Sequence, residues 1–564
     1  MKSSFFDRCS RAGGPAAVVL LVAVAGLGRQ GVAQAILRQW SGTNQPVPYV
    51  DSFGSSFAGV GDVNGDGVPD VAVGAATTNV GSLVSAGRLY VFSGADGSTL
   101  FTLDGTIAHE ALANVVEAVG DMDRDGHADI LVSSSHVLPF VYGYHLVSGN
   151  TGTILGSYAN YVGSAAGVGD VDNDGWPDLL FGRGTPGVMG FPGPGMAEVI
   201  SGQTGAVIYS FFGTYQMQIF GGLVERAGDV DGDGVQDLLI GATGFWPWTA
   251  CDGIWVYSGA TGGLLFRKPP QGPTDSFPWC IAGVGDVNGD GLDDVAVGDQ
   301  GFRQWNNHSL VTTFSGPVGT QLSTLSNPPP QTRIADSVSG VGDVDGDGFD
   351  DVLTGGIQVD GGITLFSGQT QSVLLRIPAT TLQNPWKCSG VGDTNGDDFP
   401  DFVGGAFADY VAQVAFVRLY SGAPPGVIAL GQGCADSNGV VPRIGCTYVP
   451  ARGSQFAINL SRVRSGAPAL LVLGESSTMW NNVPLPIDLS VLNMPGCFLR
   501  VAADVSTITW TVGPTAKGRA SVPMLIPNNP ALTGAIFHAQ WFVLEPPGSA
   551  QLASTTRALT VTIQ

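Results

Sequence analysis

The stretch GVGDVNGDGVPDVAVG, Gly59 to Gly74, places Asp or Asn at every second loop position and then runs into a short apolar segment. Near copies read AVGDMDRDGHADILVS at Ala118, GVGDVDNDGWPDLLFG at Gly167 and RAGDVDGDGVQDLLIG at Arg226. Three more follow, GVGDVNGDGLDDVAVG at Gly283, GVGDVDGDGFDDVLTG at Gly340 and GVGDTNGDDFPDFVGG at Gly390. The seven acidic runs begin at Asp62, Asp121, Asp170, Asp229, Asp286, Asp343 and Asp393, 49 to 59 residues apart. Self-similarity at that period, with two or more strands per unit, predicts a propeller or solenoid.

Carboxylates packed this closely repel one another unless a cation sits among them. An all-oxygen donor set without clustered His or Cys selects a hard cation such as Ca²⁺. Counted from its first Asp, the first loop offers Asp62, Asn64, Asp66 and Asp70 at positions 1, 3, 5 and 9, and the Val68 carbonyl at position 7. The second offers Asp121, Asp123, Asp125 and Asp129 with the His127 carbonyl; the third, Asp170, Asp172, Asp174 and Asp178 with that of Trp176. In the fourth they are Asp229, Asp231, Asp233, Asp237 and Val235, and in the fifth Asp286, Asn288, Asp290, Asp294 and Leu292. The sixth has Asp343, Asp345, Asp347, Asp351 and Phe349; the seventh has Asp393, Asn395, Asp397, Asp401 and Phe399.

About seven structural Ca²⁺ are therefore expected. The four-Asp loops at Asp170 and Asp229 should hold the ion more tightly than the Asn-containing loop at Asp286. Gly67 at position 6 lets the chain wrap the ion. In the seventh loop Asp398 stands there, so a strained turn or a positive φ is expected. An EF-hand would continue to a Glu at position 12 between helices. Position 12 here is Val73, inside a β-branched run, so the flanks are strands.

Composition agrees. The 564 residues include 84 Gly and are only 13% charged, as many short strands joined by tight turns require. Lys2, Arg8 and Arg11 precede the apolar run AAVVLLVAVAGLG, and Ala33-Gln34-Ala35 suits cleavage after Ala35, so residues 1–35 read as a signal peptide. That run is too short to span a membrane as a helix. The expected product is secreted or held at the cell surface, without a transmembrane anchor, and monomeric. Beyond Ala35 stand 20 Lys+Arg and 46 Asp+Glu, and 25 of those acids occupy the loop positions. The acidity thus belongs to the repeats, and seven divalent ions would bring the net charge of −26 to about −12. No basic stripe is present for nucleic acid.

Each unit carries a second recurring piece, as in LYVFSGADGSTL (Leu89), IWVYSGATGGLL (Ile254) and ITLFSGQTQSVL (Ile363), which reads as strand, Ser-Gly turn, strand. One repeat is then strand A, the acidic loop, strand B, a variable loop, strand C, the Ser-Gly hairpin and strand D, a four-stranded antiparallel blade. AILRQWSGT (Ala35 to Thr43) looks like an eighth Ser-Gly piece against seven acidic loops. Either it or the C-terminal end of the ring supplies a closing strand.

The acidic loop followed by an apolar run and Gly-Ala, DVNGDGVPDVAVGAA, preceded by SFGSSFAGVGD, resembles FG-GAP repeats. Such VCBS-like repeats build the seven-bladed, calcium-binding propeller of the integrin α N-terminal region and occur in many secreted bacterial proteins, the type this chain resembles. The resemblance covers about 40 to 430. It implies Ca²⁺ in the A–B loops on one face and partner binding through the B–C and D–A loops on the other. Those latter loops hold Trp246, Trp248, Trp279, Trp305 and Trp386. Exposed aromatics of this kind are binding anchors for proteins and sugar rings.

The overall expectation is an all-β chain, with a seven-bladed propeller over 36–430 and a β-sandwich-like domain over 431–564. In the latter, SQFAINLSRV, ALLVLGES, STITWTV, FHAQWFVLEP and ALTVTIQ read as short strands. Six Cys follow the leader and allow 15 pairings. Cys434 with Cys497 could staple the second domain, Cys251 with Cys280 should join loops of neighbouring blades, and Cys388 and Cys446 have no evident partner. No GxSxG, HExxH or P-loop occurs, and carboxylates committed to an ion are poor acid–base catalysts. The sequence reads as a binding or adhesion module. A lectin-like glycan binder is the main alternative and a polysaccharide-degrading propeller enzyme the lesser one.

Overall fold

The computed structural model describes residues 18–19, 34–42, 52–135, 142–159, 161, 163–183, 194–214, 218–243, 253–270, 277–300, 309–326, 334–356, 362–378, 387–406, 416–514 and 517–564. Seven four-stranded antiparallel sheets follow the predicted A–B–C–D order. In the first blade these strands are Ser56–Gly61, Asp70–Ala75, Arg88–Phe92 and Thr99–Asp104. The inner A strands contact one another in sequence and the seventh contacts the first, so the ring is closed.

One local device recurs in all seven blades. Gly59 pairs with Val71, but Gly61, only two residues on, pairs with Asp70, so a bulge sits just before the acidic loop. Gly61 has φ +79°, and the equivalent Gly120, Gly169, Gly228, Gly285, Gly342 and Gly392 are also left-handed, which is why each motif reads Gly-Asp. The earlier glycine serves packing. A Cβ on Gly59 would lie 2.7 Å from the Gly390 carbonyl oxygen, and one on Gly390 2.6 Å from that of Gly340.

The B strands are mostly buried, Asp70–Ala75 along its whole length. Apolar clusters fill the seams between blades. Where seven equivalent seams each bury their own set, stability is spread around the ring instead of residing in one centre.

The N-terminal segment closes the circle. Ile36–Ser41 pairs antiparallel with Phe416–Tyr420 and forms the outer strand of the seventh blade, whose inner strands are Lys387–Gly392 and Asp401–Ala406. The C-terminal candidate, Val427–Leu430, pairs instead with Ala558–Val561 in the second domain. The second domain's sheet therefore begins a few residues before 431.

That domain is two facing sheets. The first contains Arg443–Thr447, Gln455–Val463 and Gly518–Leu525, with Val18–Val19 lying parallel at its edge. The second runs Val427–Leu430, Ala553–Thr562, Ile536–Leu544, Pro468–Gly474 and Val505–Trp510. Between them lies a core that includes Ile458, Leu460, Leu471, Phe537 and the fully buried Trp541, whose Nε1 donates to the Asn459 carbonyl.

Cys434 and Cys497 are joined in a disulfide spanning 63 residues. Replacing both by Ser is expected to cost about 2–4 kcal/mol by relaxing a constraint on the unfolded chain. Calorimetry should show the loss in the second domain's transition. The expected Cys251–Cys280 bridge is not formed. Cys280 opens an A strand and turns into the seam between the fifth and sixth blades, where its free thiol faces the Ala335 carbonyl at 3.5 Å. Burial pushes that thiol far up. Cys251 lies outside the described residues. Cys388 and Cys446 are free and buried.

Candidate functional site

All seven acidic loops join the end of strand A to the start of strand B and so share one face of the ring. In the first loop, Asp62 Oδ1 accepts the Gly65 and Asp66 amides and its Oδ2 accepts that of Gly67. Asn64 Oδ1 accepts the Asp66 amide and Asp66 Oδ1 that of Val68. The alternating polar positions are thus successive side-chain-to-backbone turns that wind the loop on itself. Position 4 is left-handed even where it is not glycine, as at Arg124 and Asn173, and Asp398 adopts the expected positive φ, +69°.

The position-9 aspartates Asp70, Asp129, Asp178, Asp237, Asp294, Asp351 and Asp401 are all fully buried. Asp70 Oδ2 accepts the Val63 amide within its own loop, and Oδ1 accepts the amide of Gly94 from the Ser-Gly hairpin. Gly149, Gly202, Gly259, Gly368 and Gly422 do the same in their blades. In the fifth blade the Asn288 side-chain amide takes that place. This tie explains why the acidic loop and the Ser-Gly turn recur together.

Burial pushes these carboxyls up, to about 6 at Asp70 and Asp129, about 7 at Asp237 and Asp401, and about 8 at Asp294. Backbone donors oppose the shift without cancelling it. In four loops, oxygens of three carboxylates come within 4.8 Å of one another: Asp121, Asp123, Asp129; Asp170, Asp172, Asp178; Asp229, Asp231, Asp237; and Asp343, Asp345, Asp347. These are the four loops with Asp at position 3.

Side chains at the carbonyl positions reach the neighbouring loop. His127 Nδ1 lies 3.0 Å from the Val63 carbonyl, and Trp176 stacks with Arg124. Two residues outside the sequence-derived set stitch blades together. The Asp293 amide donates to the Asp229 carbonyl while its Oδ2 accepts the Asp229 amide, and Asp350 repeats the exchange with Asp286. The visible signal is Asp-Asp at positions 8 and 9 in these two loops only. A separate acidic pair, Glu117 and Glu225, replaces the Ala or Ser found at that place in the other A strands. Burial first, then the Glu225 charge, raise Glu117, against the pull of Lys387 and Arg226.

The second domain docks on this acidic face, which the sequence reading did not foresee. Strand alternation sends Ile444, Cys446, Ile458 and Leu460 into its core and Arg443, Thr447, Asn459 and Ser461 outward, against the sixth loop. Arg443 Nη1 stands 3.3 Å from Asp343, and Lys517 Nζ 3.0 Å from Asp286. Arg557 pairs with Asp398 and donates to the Gly396 carbonyl. Arg519 lies 3.7 Å from the centre of the Phe349 ring, and Phe399 is built into the second domain's core.

Of the five Trp proposed as anchors, Trp246, Trp248, Trp305 and Trp386 lie outside the described residues. Trp279 precedes strand Cys280–Gly285, at the end of that strand away from the Asp286 loop, and is 47% exposed.

Family comparison agrees with this geometry. An FG-GAP repeat matches residues 53–92 and an FG-GAP-like repeat residues 227–297. Integrin alpha-5 of Xenopus laevis is 27% identical over 35% of this chain and 20% of its own length. Integrin alpha-IIb of Homo sapiens is 34% identical over 23% of this chain and 14% of its own. Integrin alpha pat-2 of Caenorhabditis briggsae is 24% identical over 36% and 18%. The chain therefore spans a fifth or less of these relatives. No helix among the described residues is long and apolar enough to cross a membrane. Repeated loops, blade order and matches together show FG-GAP repeats within a propeller that is similar to that of the integrin α chains.

Proposed function

We propose that the protein is a secreted, calcium-stabilised propeller that binds a protein or glycan partner through the face opposite its acidic loops, as a binding or adhesion module and not as a catalyst. The donor set fits the ion. It is all oxygen, it recurs seven times, and in the sixth loop Asp343 Oδ1 is buried with no hydrogen-bond partner. Position-1, -3, -5 and -9 side chains and the position-7 carbonyls would hold Ca²⁺. Its charge would stabilise carboxylates that burial otherwise drives toward protonation.

The observation that carries the choice of face is the docked second domain. It covers loops of the fifth, sixth and seventh blades, whereas Trp279 stands exposed at the other end of the fifth blade. A ring braced by its loops presents the opposite face with little ordering cost on binding. The full chain should be screened against glycan arrays and envelope proteins, with and without EGTA. For the partner so found, Trp279→Ala is expected to weaken binding roughly 30-fold, as loss of a central aromatic anchor does, with an unchanged melting temperature. Wild-type affinity in that variant would remove Trp279 from the binding face. Turnover of a polysaccharide would replace the reading with the enzyme.

A further inference from the structure

The sixth loop differs from the other acidic loops in its surroundings. Asp345 and Asp347 are 2% and 7% exposed, while Asp66 and Asp125 at position 5 elsewhere face solvent. In the first, fifth and seventh loops, the position-1 Oδ1 accepts amides from positions 4 and 5. Asp343 Oδ1 accepts none and is buried, while its partner oxygen is engaged from the second domain. Asp343 Oδ2 takes the Ser461 hydroxyl at 3.1 Å and Arg443 at 3.3 Å, besides the Gly348 amide.

Asp345 is held likewise. Its Oδ2 accepts the Thr447 hydroxyl at 3.1 Å and its carbonyl accepts the Asn459 amide at 3.0 Å. Asn459 also donates to Thr447 and accepts from Ser521, so the hydroxyls are themselves fixed. The strand lies flush on the loop at Gly445, where a Cβ would come within 2.2 Å of the Asp345 carbonyl oxygen.

Charge shows what this arrangement lacks. Asp343, Asp345, Asp347 and Asp351 face two guanidiniums, Arg443 and Arg519. Asp350 turns away to the Asp286 amide. With all four ionised, two negative charges are left over, the charge of one divalent cation, in a place that the second domain covers. Leaving such charges uncompensated is strongly unfavourable.

We propose that the sixth loop and the second domain together form an occluded divalent-cation site of the Ca²⁺ class, in which ion occupancy and domain docking depend on each other. Ser461 and Thr447 are its positioning residues: they hold two carboxylates from outside the loop. The proposal rests on the calcium reading above and adds an interdomain role to one of the seven loops. Linkage is reciprocal: a cation that binds better beneath the docked domain favours docking by the same factor. Loops of the first four blades, outside this interface, exchange ions independently.

The test uses the calcium-loaded full chain mixed rapidly with a fluorescent chelator, with the radius of gyration measured by small-angle X-ray scattering before and after. One ion is expected to leave at least about tenfold more slowly than the rest, and the chain to expand as it goes. Ser461→Ala/Thr447→Val, which removes two hydrogen bonds to charged groups, should weaken that ion alone by roughly tenfold or more. Ser461→Thr/Thr447→Ser should restore it. Gly445→Val, which disturbs docking but none of the polar groups, should convert the slow ion to a fast one and expand the loaded chain. If all ions leave together from the wild-type chain and chelation leaves its dimensions unchanged, the occluded site is overturned while the calcium reading stands. If the chain binds no Ca²⁺ at all, both fall.

Discussion

Treating the full chain with EGTA is expected to lower its melting temperature by more than about 10 °C. Each site saturated a hundredfold above its Kd contributes about 2.7 kcal/mol to the folded state, and several such sites act together. The structural cause is the fully buried position-9 aspartate, which ties the loop to the Ser-Gly hairpin of the same blade. Scanning calorimetry with and without chelator measures the shift, and equal transitions would show that the loops fold without an ion.

The calcium-free protein should also depend on pH in a particular sense. Its Asp70, Asp129, Asp237, Asp294 and Asp401 carboxyls titrate at about 6 to 8, above their unfolded value of 3.8. Between those limits the folded state binds more protons than the unfolded one. Stability is therefore full below about pH 4 with respect to these groups and is lost as pH rises through 6 to 8. The apo protein should melt higher at pH 5 than at pH 8. The calcium-loaded protein should lack that slope, since the ion takes the place of the protons.

The second large effect concerns ring closure. Trp40 lies on the N-terminal strand that completes the seventh blade, 7% exposed, stacked 4.9 Å from the Phe92 ring of the first blade. Its Nε1 donates to the Gly97 carbonyl at 2.9 Å. One side chain thus joins the last blade to the first. Trp40→Ala should cost about 3–5 kcal/mol, measured by denaturant melts, and open the N-terminal strand to limited proteolysis. Loss of less than about 1 kcal/mol, the value for a surface change, would show that strand pairing alone holds the ring.

Local chemistry dictated most of the architecture, and it was readable for that reason. The Gly-Asp step before every loop is a bulge with a left-handed glycine, the alternating Asp and Asn are side-chain-to-backbone turns, and the apolar run after them is a buried B strand. Each depends on residues a few positions apart, and seven repetitions made the pattern unambiguous. Asp293 and Asp350 were legible too, as doubled aspartates, but their partners sit one blade away and about 64 residues distant, beyond any local motif.

What sequence alone determined, then, is the blade, its acidic loop and the number of repeats. Tertiary structure decided which terminus closes the ring, where Cys280 points, and which loops are open to solvent. The first two turn on which strand edge or seam a segment reaches across some 380 or 55 residues. The third turns on two domains meeting. Arg443, Thr447 and Ser461 look like ordinary outward-facing strand residues until the sheet that carries them is laid on the sixth loop, because strand alternation specifies a face and only docking specifies what that face meets.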